Sequence, residues 1–153
     1  MQSIPDGLSL RIEDEGAAYP LTVDPWLGGA DWMAESDQAG ARFGGVSGAG
    51  DVNADGFDDV VVGAGEFDNG EVDEGAAFVY LGSAGGLSLT PDWMADGGQA
   101  VAHFGGGTGA GDVNGDGFGD LIVGAGEFDH NQEDEGAAFV YLGSASGLSL
   151  VPD

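Results

Sequence analysis

Residues 51–59 read DVNADGFDD, and residues 112–120 read DVNGDGFGD. In both stretches, side chains that carry oxygen atoms stand at the first, third, fifth and ninth positions, and glycine stands at the sixth. Glycine at this point allows the backbone to turn sharply within a short loop. Two copies of one nine-residue pattern indicate two similar loops in a repeated structure.

The oxygen-rich spacing predicts two calcium sites. Calcium takes about six to eight oxygen ligands, and a short loop can supply them from side chains and from the carbonyl of the seventh residue. The predicted ligands of the first site are Asp51, Asn53, Asp55, Asp59 and the carbonyl of Phe57. The predicted ligands of the second site are Asp112, Asn114, Asp116, Asp120 and the carbonyl of Phe118.

Two other structures share features of these loops. An EF-hand begins with similar spacing, but it requires a glutamate at the twelfth position and flanking helices. The twelfth positions here are Val62 and Val123, so the EF-hand is excluded. Asp, Asn and Gly are also ordinary turn formers, which leaves an acidic turn without a metal as the alternative. Recurrence of the whole spacing favours calcium.

The loops belong to a longer repeat. Asp51 and Asp112 are 61 residues apart, and residues 31–91 match residues 92–152 at about 44 of 61 positions. Each copy contains, in order, DWMA, FGG, GAGDVN, VGAGEFD, DEGAAFVYLGSA and GLSL. Each copy is therefore expected to form one supersecondary unit.

The fold is predicted to be all-β. Short segments rich in valine, phenylalanine and tyrosine alternate with glycine-rich and acidic turns, and no apolar pattern persists at helical spacing. Four strands are predicted in the first copy, with equivalents 61 residues later, at 43–49, 59–63, 76–82 and 87–94. A four-stranded antiparallel unit of this length is typical of a β-propeller blade.

The repeated blocks resemble the FG-GAP repeats of the integrin α-subunit β-propeller and of its bacterial relatives. The matching tripeptides are Phe43-Gly44-Gly45 and Gly63-Ala64-Gly65, with equivalents at 104–106 and 124–126, and a metal loop lies between them in each copy. Gly65 and Gly126 stand where the family pattern has proline. The resemblance covers residues 31–153.

This resemblance implies that calcium rigidifies each blade and performs no chemistry. It also implies a noncatalytic module for cell adhesion or for binding a protein or glycan ligand, located outside the cell or on its surface. The start of the chain, MQSIPDGLSL, lacks the features of a secretion signal. Two alternatives remain open, a structural self-assembling fragment whose only ligand is calcium and a propeller-class hydrolase that uses the spare acidic loops.

Composition narrows the partners further. The chain has 28 acidic residues against 2 basic ones and a formal charge of -26, which argues against nucleic acid as a partner and favours cations. No apolar run is long enough to cross a bilayer, so no membrane insertion is expected. There is no cysteine and hence no disulfide. No Ser-His-acid arrangement is recognisable, so the chain is not expected to be an enzyme.

Three segments are predicted. Residues 1–30 form a β-hairpin and linker, with strands at 8–12 and 18–23 around a turn at 13–16; residues 31–91 form the first blade and 92–153 the second. A propeller needs roughly four to eight blades to close. Two blades per chain therefore predict a homo-oligomeric ring, a trimer with six blades or a tetramer with eight, in which DWMA of one chain completes the last blade of a neighbour.

Overall fold

The computed structural model describes Gln2–Ser3, Ser9–Leu10 and residues 30–153. This part of the chain forms nine strands and no helix, and no segment in it resembles a membrane-spanning helix. The strands are β1 (Gln2–Ser3), β2 (Ser9–Leu10), β3 (Phe43–Gly50), β4 (Asp59–Ala64), β5 (Ala76–Tyr80), β6 (Trp93–Asp96), β7 (Phe104–Gly111), β8 (Asp120–Ala125) and β9 (Ala137–Tyr141). The all-β prediction is confirmed.

The strands fall into two compact units that divide after Asp31. In the first unit, β1 pairs antiparallel with β2, and Gln2 lies opposite Leu10. The predicted hairpin overlaps β2, but its turn at 13–16 and its second strand at 18–23 lie outside the described residues. The hairpin centred on that turn therefore stays a prediction.

The second unit begins at Trp32 and contains two blades. Strands β3, β4, β5 and β6 form the first sheet in that order, and every neighbouring pair is antiparallel. Every residue of β5 is buried, as expected for a central strand that is covered on both faces of its sheet. The four-stranded blade predicted from the repeat is confirmed.

The fourth strand of this blade lies further along the chain than predicted. The expected strand at 87–94 is instead a turn followed by β6 at Trp93–Asp96. The Ser88 N–H donates to the Leu81 carbonyl at 2.9 Å and the Gly86 N–H to that of Ser83 at 3.0 Å, which folds the chain back before it can pair. The boundaries of the sequence repeat, 31–91, therefore differ from those of the sheet, whose last strand is β6.

The second sheet has three strands, in the order β7-β8-β9, although two full blades were predicted. The reason is the same difference in boundaries, since β6 starts at Trp93 and its equivalent would start 61 residues later, after Asp153. The turn that precedes this position is the same in both blades. The N–H of Asp153 donates to the Val140 carbonyl at 3.0 Å, as that of Asp92 does to the Val79 carbonyl at 2.8 Å.

The two sheets pack face to face through one apolar core that includes residues of both blades. Val61 and Val79 come from the first blade, and Leu121 and Tyr141 come from the second. Trp93 of β6 packs edge-on against Tyr141 of the second blade, with ring centroids 4.8 Å apart. The tryptophan of the second DWMA block therefore packs between the two blades.

Candidate metal centre

Each predicted metal loop connects the first two strands of its blade. The first loop joins β3 to β4 and the second joins β7 to β8. Gly56 and Gly117 have φ angles of 94° and 95°, a left-handed conformation that glycine adopts without a steric penalty. The fourth position is also left-handed, with φ of 55° at Ala54 and 77° at Gly115. The two loops therefore follow the same backbone path.

Side chains of the first loop hold this path through hydrogen bonds to its own backbone. Asp51 accepts from the N–H of Asp55 at 3.0 Å through Oδ1 and from that of Gly56 at 2.9 Å through Oδ2. Asn53 Oδ1 accepts from the Asp55 N–H at 3.0 Å. Asp55 Oδ1 accepts from the Phe57 N–H at 3.0 Å. The side chains of Asp51, Asn53 and Asp55 thus converge inside one turn.

The second loop repeats this network. Asp112 accepts from the N–H groups of Asp116 at 3.0 Å and Gly117 at 2.8 Å. Asn114 Oδ1 accepts from the Asp116 N–H, and Asp116 Oδ1 accepts from the Phe118 N–H, both at 3.0 Å. The same contacts at nearly the same distances follow from the same spacing.

The last residue of each motif is a buried anchor. Asp59, the first residue of β4, accepts from the N–H groups of Val52 and Gly82, each at 2.8 Å. Asp120 accepts in the same way from Val113 at 2.7 Å and Gly143 at 2.8 Å. Each carboxylate ties its metal loop to the turn that follows the third strand of the blade.

Burial disfavours the charged form of Asp59 and raises its pKa above the usual value for aspartate. Hydrogen bonds from Gly82 and Val52 act in the opposite direction, and the nearby charges of Asp51 and Asp55 raise the pKa further. A bound cation would oppose this effect, because an opposite charge favours the ionised carboxylate.

The donor chemistry of the loops fits a hard divalent cation. Each loop offers carboxylate, amide and backbone oxygens with no nitrogen or sulfur ligand, which is the set that calcium prefers. Within the described residues, however, no three Asp, Glu, His or Cys side chains converge as a metal cluster. The carboxylates of Asp51, Asp55 and Asp59 face backbone N–H groups instead. Carboxylate oxygens have further lone pairs available to an ion.

The other repeated carboxylates are also engaged with the backbone. Among the acids of the repeated GEFD and DEGAAF blocks, Glu74 is only 2% exposed. Its Oε1 accepts from the N–H of Asn69 at 2.5 Å, and Asp68 Oδ1 accepts from that of Asp73 at 2.7 Å. These acids cap the loop between β4 and β5. Glu135, the equivalent of Glu74, is exposed.

A glutamine side chain also binds the backbone of the loop between β4 and β5, and this contact was not predicted from the sequence. Gln38 donates through Nε2 to the Asp68 carbonyl at 3.0 Å and accepts through Oε1 from the Asp68 N–H at 2.7 Å. Gln99 binds Asp129 in the same way at 3.1 and 2.7 Å. The signal in the sequence was the identity of Gln38 and Gln99 at one repeat position.

The paired antiparallel sheets and the repeated loops define a β-propeller repeat protein. The model of the FG-GAP repeat matches residues 43–80 and 104–141. The chain is an FG-GAP repeat protein and belongs to that family. Each match runs from the first strand of a blade through the metal loop to the end of the third strand.

Integrin alpha subunits are among the curated relatives. Integrin alpha-5 of Xenopus laevis is 35% identical over 118 residues, which is 73% of this chain and 11% of the relative. Integrin alpha-6 of Homo sapiens is 38% identical over 112 residues, 67% of this chain and 9% of the relative. Integrin alpha-PS2 of Drosophila melanogaster is 36% identical over 158 residues, 93% of this chain and 11% of the relative. The chain spans about a tenth of the length of these relatives.

Proposed function

We propose that this chain is a calcium-binding β-propeller module that acts as a noncatalytic scaffold for adhesion or ligand binding. The observation that carries the proposal is the repeated loop network, in which Asp51, Asn53 and Asp55 converge on one turn and their equivalents do so again. Two calcium ions bind per chain, one in each loop. The ligands are those of the two motifs, completed by the carbonyls of Phe57 and Phe118.

Calcium acts here on stability. Asp59 connects the metal loop to Gly82 after β5, so an ion held by Asp59 would fix the first, second and third strands of the blade relative to one another. The ion would also neutralise acidic side chains in a chain whose formal charge is -26. Without calcium, we expect these carboxylates to repel one another and the loops to loosen.

The scaffold role is supported by how the spare carboxylates are used. Glu74 and Asp68 bind the backbone of their own loop, which leaves them poorly placed to transfer protons to a substrate. Similarity to integrin alpha subunits supports adhesion at the cell surface, with a protein or glycan bound on the loop-bearing faces.

A ring of identical chains is the second part of this function. Propeller blades need neighbours on both faces, and the second blade lacks a fourth strand within the described residues. Three chains would give six blades and four would give eight. The same observation favours the alternative that assembly itself, with calcium as the only ligand, is the function.

Thermal and urea unfolding with and without calcium tests the metal sites. At about 2 mM calcium and a Kd of about 0.1–1 mM, each site should add about 0.6–1.8 kcal/mol to the free energy of unfolding. Asp55→Asn and Asp116→Asn keep an oxygen acceptor but remove a charge, so each should remove about half of the calcium-dependent gain. The control is Asp58→Asn, in the same loop at a position that is glycine in the second copy. Equal stability with calcium and with chelator would overturn the metal sites.

A further inference from the structure

The two metal loops differ at the residue that follows their asparagine. Asn53 precedes Ala54, whereas Asn114 precedes Gly115. The backbone is left-handed at both following residues, with φ of 55° at Ala54 and 77° at Gly115, so the two loops keep one path. Asn53 is half-buried, and Asn114 is exposed. The loops therefore have the same fold but a different chemistry at this one position.

An asparagine that precedes glycine is prone to deamidation, a reaction that needs only water. The backbone nitrogen of the glycine attacks Cγ of the asparagine, and the missing Cβ of glycine allows this close approach. A bond forms between that nitrogen and Cγ, the bond from Cγ to Nδ2 breaks, and Nδ2 takes up a proton and leaves as ammonia. Water then opens the resulting succinimide ring at either of its two carbon–nitrogen bonds, which gives aspartate or isoaspartate.

The attacking N–H group of Gly115 faces a carboxylate. It donates to Asp112 Oδ1 at 2.7 Å. A carboxylate at this distance can accept the proton that the nitrogen loses as it attacks. In the first loop, Asp51 accepts from the backbone further along the chain and, within the described residues, not from Ala54. The Cβ of Ala54 also hinders the attack, so the second loop is the reactive one.

The amide of Asn114 is held only by its own loop. Its Oδ1 accepts from the Asp116 N–H at 3.0 Å, and its Nδ2 donates to Asp116 Oδ2 at 2.8 Å. Both residues are exposed, so water can replace these bonds when the loop opens locally. A calcium ion bound by Asp112, Asn114 and Asp116 would keep the loop closed. Deamidation is therefore a reaction of the ion-free loop.

The second Asn-Gly pair of the chain, at residues 69–70, is held by the rest of its blade. Asn69 Nδ2 donates to Asp96 Oδ2 in β6 at 2.8 Å. The Asn69 N–H donates to Oε1 of Glu74, whose side chain is 2% exposed. Opening this segment breaks contacts with β6 and with a buried carboxylate, so Asn114 should react before Asn69.

We propose that Asn114 is a deamidation site, at which the Gly115 nitrogen displaces the side-chain amide while the second loop holds no calcium. The dependence on calcium rests on the proposed function, whereas the reaction itself follows from the loop geometry. Isoaspartate inserts one carbon into the backbone between the third and fourth positions of the motif. This insertion shifts Asp112 out of register with the N–H groups of Asp116 and Gly117, to which it is bonded. Prolonged loss of calcium thus inactivates the second site and spares the first.

Incubation of the full chain at neutral pH, in chelator or in calcium, tests the site. Peptide mapping by mass spectrometry measures conversion at each of the four asparagines, because exchange of NH for O raises the mass. In chelator, Asn114 should convert faster than Asn53 and Asn69. At about 2 mM calcium and a Kd of about 0.1–1 mM, its conversion should be about 3- to 20-fold slower, since only the ion-free loop reacts. Chains converted to isoaspartate should bind about one calcium ion instead of two.

Two reciprocal variants exchange the chemistry of the loops. Gly115→Ala should lower the rate at Asn114 to that at Asn53, and Ala54→Gly should raise the rate at Asn53. Neither residue supplies a predicted side-chain ligand. Alanine already occupies this backbone conformation at Ala54, so the first variant should fold.

Three results would count against this site or its protection. Conversion at Asn69 as fast as at Asn114 in chelator, or an unchanged rate at Asn114 in Gly115→Ala, would overturn the deamidation site. Equal rates with calcium and with chelator, in a chain that dialysis shows to bind two ions, would overturn protection by calcium. Equal rates in a chain that binds no ion would instead overturn the proposed function.

Discussion

Replacing Gly63 with alanine should lower the free energy of unfolding by about 3 kcal/mol. The added Cβ would overlap the carbonyl oxygen of Gly105 on the facing blade. The Cβ is fixed by its bond to Cα and the oxygen belongs to the backbone of Gly105, so no side-chain rotation can relieve the overlap. The sheets must separate instead, and the core that contains Val61 and Leu121 would lose contacts. Urea denaturation in calcium-free buffer measures the change.

Gly124→Ala is the matched control for this substitution. It makes the same chemical change at the equivalent position of β8, where the nearest atom to the new Cβ is 3.7 Å away. In dilute protein, where chains are separate, its urea midpoint should stay close to that of the wild type. Equal loss of stability for the two variants in dilute protein would contradict a close backbone contact at Gly63 that is absent at Gly124.

Asp59→Asn should destabilise the chain by about 2–3 kcal/mol even in the absence of calcium. The Asp59 carboxylate accepts two hydrogen bonds, from Val52 and from Gly82. An asparagine has one acceptor oxygen, so one of these buried N–H groups would face an NH₂ group instead. With calcium present, the variant should also lose the stabilisation contributed by the first site.

The loop carboxylates have two roles, which are to hydrogen-bond the backbone and to bind calcium, and Asp55→Asn separates them. Asp55 is exposed, and its Oδ1 accepts from the Phe57 N–H, a bond that asparagine can also make. Its Oδ2 accepts from Asn53 Nδ2 at 3.1 Å, an exposed bond that water can replace. The free energy of unfolding of this variant in chelator should therefore match that of the wild type, and only the stability gained on adding calcium should fall. Chemical denaturation of both variants, each with and without calcium, checks this. If Asp59→Asn lost only the calcium-dependent part of its stability, the conclusion that Asp59 anchors the loop would be wrong.

The sequence predicted the strands where apolar runs end at clear turn signals. Alternation and glycine turns placed β4 and β5 within two residues, because buried strands are apolar and their flanks are acidic or glycine-rich. The predicted position of the fourth strand was wrong because Leu87-Ser88-Leu89 alternates like a strand yet lies in a turn. That turn is set by two hydrogen bonds: the Ser88 N–H donates to the Leu81 carbonyl, and the Leu81 N–H donates to Asp92 Oδ2. No local sequence pattern predicted either bond.

Contacts between distant segments were the least predictable part of the candidate site. The pairing of Gln38 with the Asp68 backbone joins residues 30 apart in the chain, and glutamine is common on surfaces for many reasons. The anchoring of Asp59 by Gly82 is similar, since spacing suggested a ligand but gave no partner. Spacing predicts which residues share a loop, whereas the fold decides which backbone groups meet them.

Dialysis of the chelator-treated chain against radioactive calcium counts the ions that the chain binds. In about 0.15 M salt we expect saturation near two ions per chain with a Kd of about 0.1–1 mM. Asp55→Asn/Asp116→Asn should abolish saturable binding, while Asp37→Asn/Asp58→Asn, which removes the same charge outside the predicted ligands, should keep it. Equal binding by the two double variants, or no saturation in the wild type, would contradict a calcium-binding propeller module.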